Sequence, residues 1–312
     1  MKIFKFGGTA LATKGNREKV IDIIKKEEKV IVVCSAMGRN GFPYATDTLL
    51  NLVNVNNLTS KERARLVSCG EIISSLILKN ELIEAGVEAT TLSINEVRIK
   101  GRGEHDSSSF VSIDNTLIIE ALNKCNVVII PGFIALHEDN EICTFKRGGS
   151  DLTSLLLADS FNLDEVYLFK DVEGIYPTYP KINKGLKIYK YISFEEMFLL
   201  SDLGFQIVSK DAVEHAFNHK IKINIVNYLT DEIGTIISEN SEYHDPIGFT
   251  INNNIVKIAS FFTNDLLENI KIELKESHIF IKDYFIEGNV LNIQVSSSQV
   301  PVIRKMLINR YF

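Results

Sequence analysis

Along this chain, short continuous apolar runs alternate with longer stretches in which apolar residues recur every three or four positions. Val30-Ile31-Val32-Val33-Cys34 and Val127-Val128-Ile129-Ile130 are unbroken, the pattern of strands buried on both faces. The pattern predicts strands at residues 3–6, 30–34, 87–92, 127–130, 165–169 and 221–226. Residues 16–26 place Val20, Ile23 and Ile24 on one helical face, and residues 61–80 and 152–161 carry the clearest helical periodicity. Strands alternating with helices predict a mostly parallel sheet covered on both faces, an α/β architecture.

A polar interval from Glu239 to Pro246 reads as a domain boundary. Beyond it the pattern predicts a strand at 255–262, a helix at 266–276, strands at 279–285 and 290–295, and a helix at 299–308. That β-α-β-β-α order implies a small α+β module over 246–312, beside a large domain over 1–240.

The chain has 312 residues, 45% hydrophobic and 24% charged, so it has material for a sizeable core. Acidic residues outnumber basic ones by 40 to 34, which argues against a sequence-independent nucleic-acid binder. No apolar run approaches a membrane span, and the first strand runs straight into Gly7-Gly8 with no signal-like core before it. The expectation is a cytoplasmic protein without a membrane partner. Cys34, Cys69, Cys125 and Cys143 form no CxxC pair, and the six histidines show no ligand-like clustering. Neither disulfides nor a protein-held metal are expected.

Four segments and one helix carboxylate carry candidate chemistry. Lys5-Phe6-Gly7-Gly8-Thr9 sits where a strand becomes a loop. It is either a plain strand-end turn or a loop whose glycines let the backbone approach a phosphate while Lys5 supplies charge. Cys34-Ser35-Ala36-Met37-Gly38 follows a buried strand, where ligands bind in open parallel sheets. Thr46 or Asp47 then caps a short helix, or Thr46 meets a substrate. Lys146-Arg147-Gly148-Gly149-Ser150-Asp151 opens another helix. Arg147 suits a carboxylate and Asp151 an ammonium group, unless Ser150 or Asp151 is only a cap. Lys170-Asp171-Val172-Glu173-Gly174-Ile175-Tyr176 leaves a strand through a turn, and Glu71 sits in a mostly apolar helix, where it is either partly exposed or a buried carboxylate that needs a partner.

Taken in this order over residues 1–237, the segments resemble the aspartate kinases of the amino-acid kinase superfamily, most closely those of spore-forming Firmicutes. The resemblance implies a three-layer sandwich and transfer of the ATP γ-phosphoryl group to the side-chain carboxylate of L-aspartate, with Mg²⁺ arriving on the ATP phosphates. A different carboxylate substrate, or a weakly active regulatory paralogue, is the alternative. It implies that Lys5 and Asp151 are catalytic and that Ser35, Thr46, Glu71, Arg147 and Ser150 bind the amino acid. Lys5, Gly7, Gly8, Lys170, Asp171, Tyr176 and Lys181 would hold the nucleotide. A homodimer or higher homo-oligomer is implied as well, and the C-terminal module resembles a single ACT domain. Three positions depart from the family pattern: Lys146 and Lys170 replace a glycine and a threonine, and Gln206 stands where a nucleotide-associated lysine is usual.

Overall fold

The computed structural model describes residues 1–180, 185–239 and 244–312. The chain runs β1 (Lys2–Phe6), α1 (Gly8–Leu11), α2 (Lys14–Ile24), β2 (Val30–Cys34), α3 (Thr46–Leu50), α4 (Ser60–Glu84) and β3 (Ala89–Thr91). Next come α5 (Ile94–Val97), β4 (Ile99–Arg102), β5 (Ser109–Ile113), α6 (Thr116–Lys124) and β6 (Val127–Pro131). They lead to β7 (Ile134–His137), β8 (Ile142–Thr144), α7 (Gly149–Ser160) and β9 (Glu165–Lys170). After β10 (Tyr191–Ser193) follow α8 (Phe194–Asp202), α9 (Lys210–His219), β11 (Lys222–Asn227) and β12 (Glu232–Ser238).

Eight strands form one sheet in the order β10-β12-β11-β9-β1-β2-β6-β3. Every neighbouring pair in it is parallel except β11 with β12. Alternation along the strands divides the core in two. Ile3, Ile31, Val33, Val128 and Ile130 pack with α7, α8 and α9 on one face. Phe4, Phe6, Val32, Cys34 and Ile129 pack with α1, α2 and α4 on the other. The mostly parallel sheet covered on both faces is the one that the pattern predicts, and the three layers are those that the resemblance implies. A small second sheet, β5-β4-β7-β8, was not among the predicted elements. Its strands are three to five residues long and partly exposed, too short to leave a clear period-two signal.

Parity also decides which side the first lysine faces. Lys5 shares its face with Ile3, and Lys170 shares its own with Leu168 on the adjacent strand. Both side chains are thus directed at α7 rather than at α4.

The C-terminal segment comprises β13 (Gly248–Asn252), β14 (Ile255–Ala259), α10 (Thr263–Glu276), β15 (Asp283–Glu287), β16 (Val290–Gln294) and α11 (Val300–Tyr311). Its antiparallel sheet has the order β13-β14-β16-β15. Val256, Ile258, Leu291 and Ile293 lie on the face covered by Leu266, Ile270, Leu274, Ile303 and Leu307. This α+β arrangement fits an ACT-like module, with one correction: the unpredicted β13 pairs with β14, so the order is β-β-α-β-β-α. Half of the polar interval expected as a boundary, residues 240–243, falls outside the described residues. The module is docked: Phe249 N–H donates to the Pro177 carbonyl at 2.9 Å, and Tyr189 O–H to the Ile247 carbonyl at 2.6 Å. No helix among the described residues is long and apolar enough to cross a membrane.

Candidate active site

The carboxyl ends of β1, β2 and β9 open into two adjoining cavities of about 1060 and 280 Å³. The loops behind them are zipped by backbone hydrogen bonds: Gly7 N–H to Phe169 O, Ser35 N–H to Phe6 O, and Gly38 N–H to Gly8 O. The approach is so close that a Cβ on Gly8 would stand 2.5 Å from Gly38 O and 2.6 Å from Ala36 O. That is why the second glycine of the pair is needed. The larger cavity is lined by Ser35, Thr46, Glu71, Arg147 and Ser150. Gly7, Lys170 and Asp171 line the smaller one. Lys5, Gly8 and Gln206 line both, so Lys5 stands at the junction.

Asp151 lies beneath this junction, buried in the first turn of α7. Lys5 Nζ is 2.6 Å from its Oδ1, and Lys170 Nζ is 2.9 Å from its Oδ2. Burial alone would raise the Asp151 carboxyl, but the ammonium groups of Lys170 and Lys5 outweigh it and hold the pKa at about 2. Burial pushes Lys170 down to about 8 against the pull of Asp151. Two cations on one anion leave net positive charge aimed at the crevice, the sign a polyphosphate needs. The capping alternative is overturned here. The N-cap of α7 is Gly148 and no side chain caps it. The ammonium groups that Asp151 meets are the protein's own.

Glu71 is 3% exposed in the middle of α4, so its partly exposed alternative fails too. One oxygen accepts from Ala36 N–H at 3.1 Å, and the other finds no hydrogen-bond partner among the described residues. Burial raises its pKa to about 8, with the Ala36 bond and the Lys5 charge pulling the other way. A buried carboxylate with a spare oxygen at a cavity wall is an acceptor for a cationic ligand group. Thr46 is the first residue of α3 and the N-cap is Ala45, so neither Thr46 nor Asp47 caps that helix. Asp47 instead holds Arg147, whose Nη2 lies 2.7 Å from both of its oxygens.

Arg39, which lines both cavities and directly follows the 34–38 segment, was not among the sequence candidates. Its guanidinium donates to both Asp171 oxygens at 3.0 and 3.1 Å and to Thr9 Oγ1 at 3.1 Å. Asp171 is therefore at the crevice but already engaged. Tyr176 lines neither cavity, and its hydroxyl donates to Glu173 at 2.5 Å. Lys181 lies outside the described residues. The expectation that histidines do not cluster is also corrected: His105 and His137 meet Asp139, and His215 and His219 meet Asp159.

An open, mostly parallel sheet with a crevice at the carboxyl ends of its strands defines the class of α/β proteins that bind ligands there. Residues 1–227 match the model of the amino acid kinase family, and the chain belongs to that family. It is 30% identical over 246 residues to "Aspartokinase 1" of Bacillus subtilis, covering 76% of this chain and 61% of that one. It is 33% identical over 241 residues to "Aspartokinase" of Geobacillus stearothermophilus, covering 75% and 58%. The chain thus spans about three fifths of the length of these curated relatives. Among solved structures, a Clostridium acetobutylicum aspartate kinase superposes with TM-score 0.73 at 16% identity, over 100% of both chains. E. coli aspartokinase III in complex with aspartate and ADP does so with TM-score 0.65 at 18% identity, over 95% of this chain and 79% of that one.

Proposed function

We propose that this chain is an aspartate kinase, transferring the ATP γ-phosphoryl group to the side-chain carboxylate of L-aspartate to give 4-phospho-L-aspartate. The observation that carries the reading is the position of Lys5 at the junction of the two cavities, backed by Asp151. ATP phosphates occupy the smaller crevice against Gly7, Gly8, Lys5 and Lys170. The amino acid lies in the larger cavity, its ammonium group on Glu71 and its α-carboxylate on Arg147 in place of Asp47. Ser35, Thr46 and Ser150 supply hydroxyls around it. The nucleophile is already ionised, so the site supplies alignment and charge rather than a base. Lys5 neutralises charge on the transferring group, and Asp151 holds its ammonium in place. Lys170 supplies the charge that Gln206 lacks.

Asp151 is engaged by two lysines and Asp171 by Arg39, so among the described residues the smaller crevice offers a divalent ion no unpaired carboxylate. Mg²⁺ then enters on the ATP phosphates, where it screens their charge. Tyr176 and Lys181 are assigned to the nucleotide on the resemblance alone. The same reading divides the chain into a catalytic domain over 1–240 and an ACT-like domain over 246–312, and places it in the cytoplasm. It also makes the protein a homodimer or higher oligomer. Tyr284, Phe285 and Ile286 on the edge strand β15 are exposed apolar side chains that a second copy would cover.

ADP release measured across a panel of amino acids, with hydroxylamine trapping of acyl phosphate, tests the reaction. Aspartate-dependent ADP release with a trapped hydroxamate is expected. Turnover with another carboxylate alone would move the assignment to that substrate, and no turnover with any would leave a regulatory paralogue.

A further inference from the structure

His215 and His219 are four residues apart on α9 and therefore share one face of it. Opposite them, near the end of α7, stands Asp159. Its Oδ1 is 3.0 Å from His219 Nδ1 and its Oδ2 is 3.5 Å from His215 Nε2. The two rings stack with centroids 4.2 Å apart, and the three ligand atoms all lie within 4.8 Å of one another. We propose that Asp159, His215 and His219 form a binding site for one divalent transition-metal ion, Zn²⁺ or a chemically similar ion, clipping α9 to α7.

Several observations point to a ligand rather than to a simple ion pair. His215 Nε2 is buried and makes no hydrogen bond among the described residues, because its 3.5 Å approach to Asp159 lacks hydrogen-bond geometry. A buried ring nitrogen aimed at a carboxylate without bonding it is a donor set awaiting a cation. Two imidazoles and a carboxylate are the donors borderline ions such as Zn²⁺ prefer, with water filling a fourth position. Metal–ligand distances of about 2.0–2.2 Å require the triangle to tighten. His219, with 42% of its side chain exposed, has room to pivot inward. The other histidine cluster is a poorer candidate, because Lys61 Nζ lies 3.9 Å from Asp139 and would repel a cation.

The location gives the ion a role. α7 carries Ser150 and Asp151 at its opposite end, about 12 Å along the helix at 1.5 Å per residue. α9 begins just after Gln206, which lines both cavities. An ion joining the far ends fixes the two helices that frame the active site without touching the reactants.

The test is titration of tag-free, chelator-treated full-length protein with Co²⁺ and Zn²⁺. One ion per chain is expected, with visible Co²⁺ absorption typical of tetrahedral nitrogen–oxygen ligation and a higher Tm in Zn²⁺. His219→Ala and Asp159→Asn should each weaken binding at least about a hundredfold, and His219→Cys should restore it with a new sulfur-to-cobalt absorption band. His137→Ala should leave binding unchanged. Absence of stoichiometric binding by the wild type overturns the proposal. So does undiminished binding by folded His219→Ala and Asp159→Asn, or loss of the cobalt spectrum in His137→Ala.

Discussion

Arg147 and Asp47, a hundred residues apart in sequence, close the mouth of the larger cavity: one guanidinium nitrogen sits 2.7 Å from both carboxylate oxygens. On the proposed reading, Asp47 occupies the place that the substrate α-carboxylate would take on Arg147. The Arg147 side chain is 79% exposed, so the pair itself adds little stability.

Arg147→Lys should therefore damage use of aspartate and spare ATP. A lysine conserves the charge but cannot present two parallel donors. The loss should appear in kcat/KM for aspartate as about 2 kcal/mol, roughly thirtyfold. Asp47→Asn should act oppositely and lower the aspartate KM by removing the competitor. An equal loss of ATP affinity in Arg147→Lys would place the arginine in the phosphate site instead.

Asp151→Asn should destabilise the protein by about 3–5 kcal/mol, because two buried lysines lose their shared counter-charge. ATP supplies anions to the same lysines, so it should raise the Tm of the variant more than that of the wild type. Thermal unfolding with and without ATP measures both effects. A variant as stable as the wild type, with the same ATP response, would mean that the three charges are not coupled.

Stability should fall with pH through Glu71. Its folded pKa of about 8 lies above the ordinary 4.5, so its contribution is complete below pH 4.5 and lost as pH rises to about 8. Glu71→Gln should flatten that slope. Lys170, lowered from 10.5 to about 8, acts in a separate window, where stability is regained between those values. If an amino-acid ammonium group binds Glu71, proton release should accompany binding near neutral pH. Calorimetry in two buffers of different ionisation enthalpy reads it, and equal heats would take Glu71 out of the substrate site.

Lys170→Thr should weaken ATP binding by about 1.5–3 kcal/mol, roughly ten- to a hundredfold, since a charged partner of the phosphates is lost. Adding Gln206→Lys to that variant should recover most of the affinity, as both side chains line the same crevice. Nucleotide titration of the single and double variants decides it. Unchanged affinity in Lys170→Thr would show that Lys5 suffices.

Some of this architecture was legible because it follows from short-range rules. The unbroken apolar runs at 30–34 and 127–130 became central strands with every residue buried. Residues 61–80 became the core of α4, opened by a Thr59–Glu62 capping box. The second sheet escaped because its strands are three to five residues long and partly exposed, and β13, which pairs with β14 across a turn at Asn253-Asn254, was not predicted. The helix carrying His215 and His219 was not predicted either, so their shared face went unseen.

The candidate site divides in the same way. Sequence by itself placed Lys5, the glycine pair, Arg147, Ser150 and Asp151 at strand ends and a helix start, because chain direction and local periodicity determine where loops fall. It also determined that Lys5 and Ile3 share a face, since side chains alternate along a strand. Only the tertiary structure decided that Asp151 serves Lys5 and Lys170, that Asp47 holds Arg147, and that Glu71 is buried with an oxygen to spare. Each of those depends on which distant charges end up within a few ångströms in a medium of low dielectric. Coulomb energy and desolvation there follow position in space, and local sequence carries no record of it.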